Sequence, residues 1–124
     1  MGVSDSLAAY FDFEEYDTDI RTETVAGATT FLAMAYIVVV NPSILAAAIM
    51  TDPPAGMGET EVLQMLAVVT ILASVVAILV MALYAKRPFG LAPGMGLNAF
   101  FAFTVVIGLG IPWQTALAAV FVEG

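Results

Sequence analysis

Three stretches without a single charged residue run through this chain, at 24–51, 62–85 and 88–122, and they are 28, 24 and 35 residues long. A bilayer core about 30 Å thick is crossed by roughly 20 apolar residues rising ~1.5 Å each. Each of the first two runs therefore suits one spanning helix, and the third is too long for a single simple helix. The competing reading, buried helices of a soluble core, does not suit three such runs in 124 residues. Composition agrees: 61% of residues are hydrophobic and 11% charged, against roughly 45–50% and 25% in ordinary globular chains. A secretory signal peptide fails as well, because the first run follows an acidic 23-residue tail and is longer than an h-region. The expectation is an all-α membrane protein.

Several function classes fall away at once. The chain has no Cys and no His, which removes disulfides, thiolate or imidazole metal sites and a histidine general base. Three Lys+Arg in total cannot build the basic face on which nucleic-acid binding depends. No catalytic residue, metal ligand or cofactor is expected, and an enzyme is the weakest of the functional classes.

The charges mark the aqueous ends. Asp5, Asp12, Glu14, Glu15, Asp17, Asp19, Arg21 and Glu23 crowd an acidic tail at 1–23; Asp52, Glu59 and Glu61 form a second group; Lys86 and Arg87 are adjacent; and Glu123 stands near the end. Bases dominate the orientation rule. A cytoplasmic tail puts Arg21, Lys86 and Arg87 all inside and the 51–61 segment, TDPPAGMGETE, outside as an acidic Pro- and Gly-containing turn. The expectation is a multi-pass protein of the cell membrane with a cytoplasmic N-terminus. The formal charge of −8 thus belongs to water-facing segments on both sides and says nothing about substrate. Acids on both faces would suit a host with concentrated salt, where screening is strong. In the tail, Leu7, Tyr10 and Phe11 have helical spacing. Such an acidic helix would dock on protein rather than on anionic lipid.

The first span, 25–50, is expected to be interrupted at Asn41-Pro42, either as a kink or helix end or as a functional hinge. Asn41 carries an amide to a depth where its partners must come from protein. Small residues from Ala26 to Ala35 suggest close helix packing. The second span, 62–85, reads as a scaffold or lipid-facing helix with only Thr70 and Ser74 polar in its interior.

The third run is the informative one. Two prolines and three glycines within 88–96 oppose regular helix, yet no charge lies between Arg87 and Glu123. Irregular backbone at membrane depth is tolerated where it is buried in protein or lines a cavity, and transporters place such breaks around midplane sites. The reading is a cytoplasmic start at Pro88, an extended stretch to about Asn98 and a helix from Ala99 to about Ile107. An external turn at 108–111 follows, then a returning fourth span with Pro112 in its first turn and Trp113 as an interfacial anchor. Only ~20 Å of that helix is present, so the chain reads as truncated. Residues 24–124 form spans one to three and the start of a fourth.

RTETVAGATTFLAMAYIVVVNPSIL (21–45) and LAPGMGLNAFFAFTVVIGLGIPWQTALAAVFVEG (91–124) closely resemble the xanthine/uracil permease superfamily, and within it the adenine/guanine/hypoxanthine permease branch of the nucleobase:cation symporters. APGMGLNAFF is the specific part of the match. The resemblance implies fourteen membrane segments in two inverted seven-segment repeats, with a broken third segment, and a nucleobase held between short extended stretches of segments three and ten. Carried onto this chain, the third segment's contribution falls on Gly94, Met95, Gly96, Leu97, Asn98, Ala99, Phe100 and Phe101. Asn98 and one Phe are the leading substrate-binding candidates. The implied substrate is adenine, guanine, hypoxanthine, xanthine or uracil, moved with a coupling proton, and a homodimer is compatible with the resemblance.

Those residue types suit a purine. An aromatic ring stacks on its flat face, worth ~0.5–1.5 kcal/mol beyond area burial; an amide matches its alternating donors and acceptors; and glycines admit close backbone approach. Each Phe could equally be packing. The family's acidic coupling residues lie in segments eight and ten, and no acid lies within the membrane runs of this chain, so residues 1–124 are expected not to transport alone. The alternative is a short structural or assembly subunit without transport activity.

Overall fold

The computed structural model describes residues 2–87 and 89–123. Six α-helices follow one another: α1 (Val3–Tyr10), α2 (Ile20–Met34), α3 (Ile37–Ile49), α4 (Glu59–Leu83), α5 (Met95–Ala99) and α6 (Trp113–Glu123). Between α5 and α6, and continuous with α5, runs a π-helix over Phe100–Gly108. No strand occurs among the described residues.

Helices α2 and α3 form one nearly continuous segment of 30 residues, and α4 has 25, about 45 and 38 Å of helix at ~1.5 Å per residue. Both are long enough to span. Their surfaces fit an apolar surround: Val68, Val69, Leu72, Val76, Leu79 and Val80 all stand exposed along α4. A soluble core helix would bury these side chains, and water does not tolerate so continuous an apolar surface. This is an integral membrane protein.

Local chemistry starts the helices. Asp19 caps α2, its Oδ1 accepting from the Thr22 N–H at 2.7 Å, so the helix begins at Ile20, inside the acidic tail. At α4 the Glu61 carboxylate reaches back to the Gly58 N–H at 2.7 Å, satisfying a donor that the helix cannot.

The first span is interrupted, but not where Asn41-Pro42 led us to expect. Pro42 lies within α3, and the interruption falls at Ala35–Tyr36, where the Val38 N–H bonds to the Ala35 carbonyl and the Val39 N–H to that of Tyr36. Proline removes its own donor and crowds the carbonyl four residues back, here that of Val38. The strain is taken up in the turn before it as tightened three-residue bonds. Within the described residues α2 buries none of its own side chains, and its tight approach is to Gly90, at Thr30 and Met34. It is α3 that packs tightly. Ala46 and Ile49 meet Val62 and Leu66 of α4, and Ala48 meets Phe101, Ala102, Val106 and Ala116.

The two ends of the bundle are tied by different contacts. At one, the Tyr10 hydroxyl donates to the Leu83 carbonyl at 2.6 Å, Lys86 pairs with Asp12 at 3.6 Å, and its ammonium lies 4.9 Å from the Tyr10 ring centroid. The tail helix therefore docks on protein, at the same end as Lys86 and Arg87. At the other, the Trp113 indole N–H donates to the Asp52 carbonyl at 2.8 Å, and Gln114 Nε2 donates to the Asp52 carboxylate at 3.2 Å. The acidic turn and the turn before α6 thus share the opposite end.

The third run departs from its reading in where its helix starts and in how that helix winds. The expected start at Pro88 lies outside the described residues. Phe89–Gly94 has no regular structure, but helix starts at Met95 rather than Ala99, with Gly94 as its extended N-cap and the Asn98 N–H bonded to the Gly94 carbonyl at 3.1 Å. Gly96 alone costs only about 1 kcal/mol against Ala, too little to hold off a turn that Met95, Leu97 and Ala99 favour. The winding then loosens. Phe101 and Val106, five residues apart, would stand about 140° apart on an α-helix. Five-residue hydrogen bonding returns them to one face, and both are buried with Ala102 against α3.

Candidate functional site

Asn41 and Thr70 are the buried polar residues among the described positions, 2% and 4% exposed. Asn41 sits in α3 and Thr70 in α4, both at spanning depth, where an unpaired amide or hydroxyl is costly. They satisfy each other: Asn41 Nδ2 donates to Thr70 Oγ1 at 3.0 Å. On its other side, Asn41 Oδ1 accepts from Nδ2 of Asn98 on α5. Three helices are thereby joined by one line of neutral hydrogen bonds, Asn98 to Asn41 to Thr70.

The residues singled out from sequence fall on both sides of this line. Asn98 and Ala99 are half-buried beside α3, as is Met95, while Gly94, Gly96 and Leu97 are exposed. The two phenylalanines separate sharply. Phe100 is 55% exposed, whereas Phe101 is 7% exposed inside the cluster with Ala48 and Val106. Phe100 therefore stands at the surface, Asn98 is half-buried with its amide on Asn41, and Phe101 holds the π-helix against α3.

A groove of about 540 Å³ opens beyond Thr70, between α2, α4 and the extended stretch, with Gly27, Thr30, Ser74, Phe89 and Leu91 among its walls. That volume lies in the ordinary range of small-ligand sites, roughly 300–1,000 Å³. None of Met95–Phe101 lines it; Thr70 is the point where the polar line reaches its wall. Gly90 makes the wall possible, because a Cβ there would lie 2.5 Å from Met34 Sδ and 2.7 Å from Thr30 Cγ2.

Chemically, the hydrogen-bonded line offers neutral donors and acceptors, and the groove beyond Thr70 offers mainly apolar walls. Among the described residues no cluster of acids could hold a metal ion, and no carboxyl group joins the hydrogen-bonded line. Sequence reading flagged Asn41 only as an amide in want of a partner and passed over Thr70. The available signal was a lone threonine among Val, Leu and Ile in the facing span, because polar atoms there must find one another.

Residues 21–124 match the model of the xanthine/uracil permeases, described as a permease family. A protein of Methanocaldococcus jannaschii carrying the permease name is 52% identical over 93% of this chain and 24% of its own length. An adenine permease of Escherichia coli is 46% identical over 95% of the chain and 24% of its length. A guanine/hypoxanthine permease of Bacillus subtilis is 47% identical over 92% and 24%. The chain thus spans about a quarter of the length of these relatives. No solved structure matches it significantly.

Proposed function

This chain belongs to the xanthine/uracil permease superfamily, in its adenine/guanine/hypoxanthine permease branch, and from that premise we propose that it is part of a transporter moving purine or related nucleobases across the cell membrane. The observation carrying this reading is the similarity, over more than nine-tenths of the chain, to permeases named for adenine and for guanine/hypoxanthine. In this reading the whole transporter is a proton-coupled symporter of two inverted seven-segment repeats with a cytoplasmic N-terminus. The chain supplies segments one to three, the third of them broken, and the start of four.

The binding group is Asn98 with Phe100, flanked by Met95, Gly96 and Ala99. The Asn98 amide meets the donor–acceptor edge of the base, and the Phe100 ring stacks on its face. Gly96 leaves backbone accessible, and Phe101 supports the group from the core. Supporting this reading are the half-open position of Asn98 and the exposure of Phe100.

Uptake of labelled hypoxanthine by cells carrying the complete reading frame, competed with a panel of nucleobases, tests the reading. Competition by purines and loss of uptake on collapsing the proton gradient are expected. Absence of uptake for every nucleobase would overturn transport, and uptake that follows sodium instead would overturn proton coupling. Cells expressing residues 1–124 alone should show no uptake, because the membrane runs contain no carboxyl group to carry a proton.

A further inference from the structure

We propose that Asn41 is a positioning residue: held by Thr70, it anchors the Asn98 side chain beside α3 and so fixes where the Asn98 amide meets the ligand. This rests on the reading of Asn98 as a binding residue. An asparagine side chain can sit in two orientations related by a flip, which exchange an acceptor for a donor. The structure removes much of that freedom by anchoring the side chain. Asn41 Nδ2 donates to Thr70 Oγ1 at 3.0 Å, and Asn41 Oδ1 accepts from Asn98 Nδ2. The Asn98 amide is thereby tied to α3 through a residue that is itself tied to α4.

Asn41 and Thr70 are almost wholly shielded, so little water competes for either partner and the anchor persists. Among the described residues, Asn98 Oδ1 has no protein donor, and the second hydrogen on its Nδ2 is likewise unclaimed. The group thus offers an acceptor beside a donor at the rim of the line. Its complement is a ligand edge carrying an N–H next to a ring nitrogen or carbonyl oxygen, as amide-like and amidine-like heterocycles do. Asn41 touches no ligand in this scheme and acts through Asn98 alone.

Uptake kinetics on the complete reading frame test the proposal with Asn41→Ala, Asn98→Ala, the double variant, Thr70→Val and Thr70→Ser, each normalised to transporter in the membrane. Loss of one oriented hydrogen bond should raise KM for hypoxanthine about ten-fold in Asn41→Ala and in Asn98→Ala while kcat holds. The double variant should be no worse than Asn98→Ala. Thr70→Val should raise KM in the same way, and Thr70→Ser, which keeps the hydroxyl, should restore it. Additive effects in the double variant, or a fall in kcat with KM unchanged in Asn41→Ala, would overturn the positioning role. An unchanged KM in Asn98→Ala would overturn the binding reading as well, whereas a raised KM there with none in Asn41→Ala would remove this inference only.

Discussion

Asn41 and Thr70, 29 residues apart in sequence, meet through a 3.0 Å hydrogen bond between two spanning helices, and each is nearly sealed from its surroundings. Polar bonds between membrane helices contribute less than their isolation suggests, about 0.6 kcal/mol on average and up to ~1.7. Thr70→Val keeps the shape and removes the acceptor. It should therefore lower unfolding stability in detergent or bicelles by about 1 kcal/mol, with Thr70→Ser close to the parent. Equal stability for all three would show that Asn41 finds another partner.

The extended stretch and α2 touch through Gly90, with no room for a methyl group beside Thr30 and Met34. Gly90→Ala should cost about 1–3 kcal/mol, the usual range for overpacking. Thr30 is β-branched and stiff, so the flexible Met34 cannot absorb the clash unaided. Combining Gly90→Ala with Thr30→Ser and Met34→Ala should recover most of the loss in a thermal-denaturation series. Failure of the triple variant to recover would mean that the backbone of Phe89–Ala92 is constrained by something else.

The acidic tail is held by exposed contacts, each of them weak. The Lys86–Asp12 pair has both side chains about half exposed, and such pairs are worth roughly 0.2–1 kcal/mol. Tyr10 adds one hydrogen bond to Leu83. Tyr10→Phe combined with Asp12→Asn should make the segment around Phe11–Tyr16 several-fold more susceptible to protease, and salt should do the same to the parent by screening. Hydrogen exchange at Phe11 and Phe13 would report the same release. Unaltered protection in the double variant would place the holding contact elsewhere.

Asp19 links the start of the first span to pH. Hydrogen bonds from Thr22, side chain first and backbone N–H second, hold its carboxyl below the ordinary aspartate range. The folded form therefore titrates lower than the unfolded one. The capping contribution is fully present above the ordinary aspartate value and disappears as pH falls through the lowered folded value. The Thr22 amide resonance should move in that acidic window and report fraying of the first turn of α2. Asp19→Asn keeps a cap and should abolish the pH dependence; a titration that survives the substitution would assign it to another group.

Much of the architecture is written in the placement of charge. Uncharged runs of spanning length, acids before Ile20 and between α3 and α4, and bases at Lys86 and Arg87 mark the membrane and its two faces. These are one-dimensional quantities: transfer of apolar side chains to hydrocarbon and exclusion of charge depend on each residue's own chemistry and its neighbours in sequence. The motif around Asn98 was legible for the same reason, because glycine, proline and asparagine carry their local constraints with them. Three features were not legible. The interruption fell at Ala35–Tyr36, in the turn ahead of the proline, where the backbone tightens to three-residue bonds. The helix after Gly94 wound with five-residue bonds, which align Phe101 and Val106 against Ala48, because burial against α3 outweighed the ordinary pitch. The partners of Asn41 lie 29 and 57 residues away. A hydrogen bond needs two groups within about 3 Å, and which groups come that close is settled by helix packing in space rather than by order along the chain.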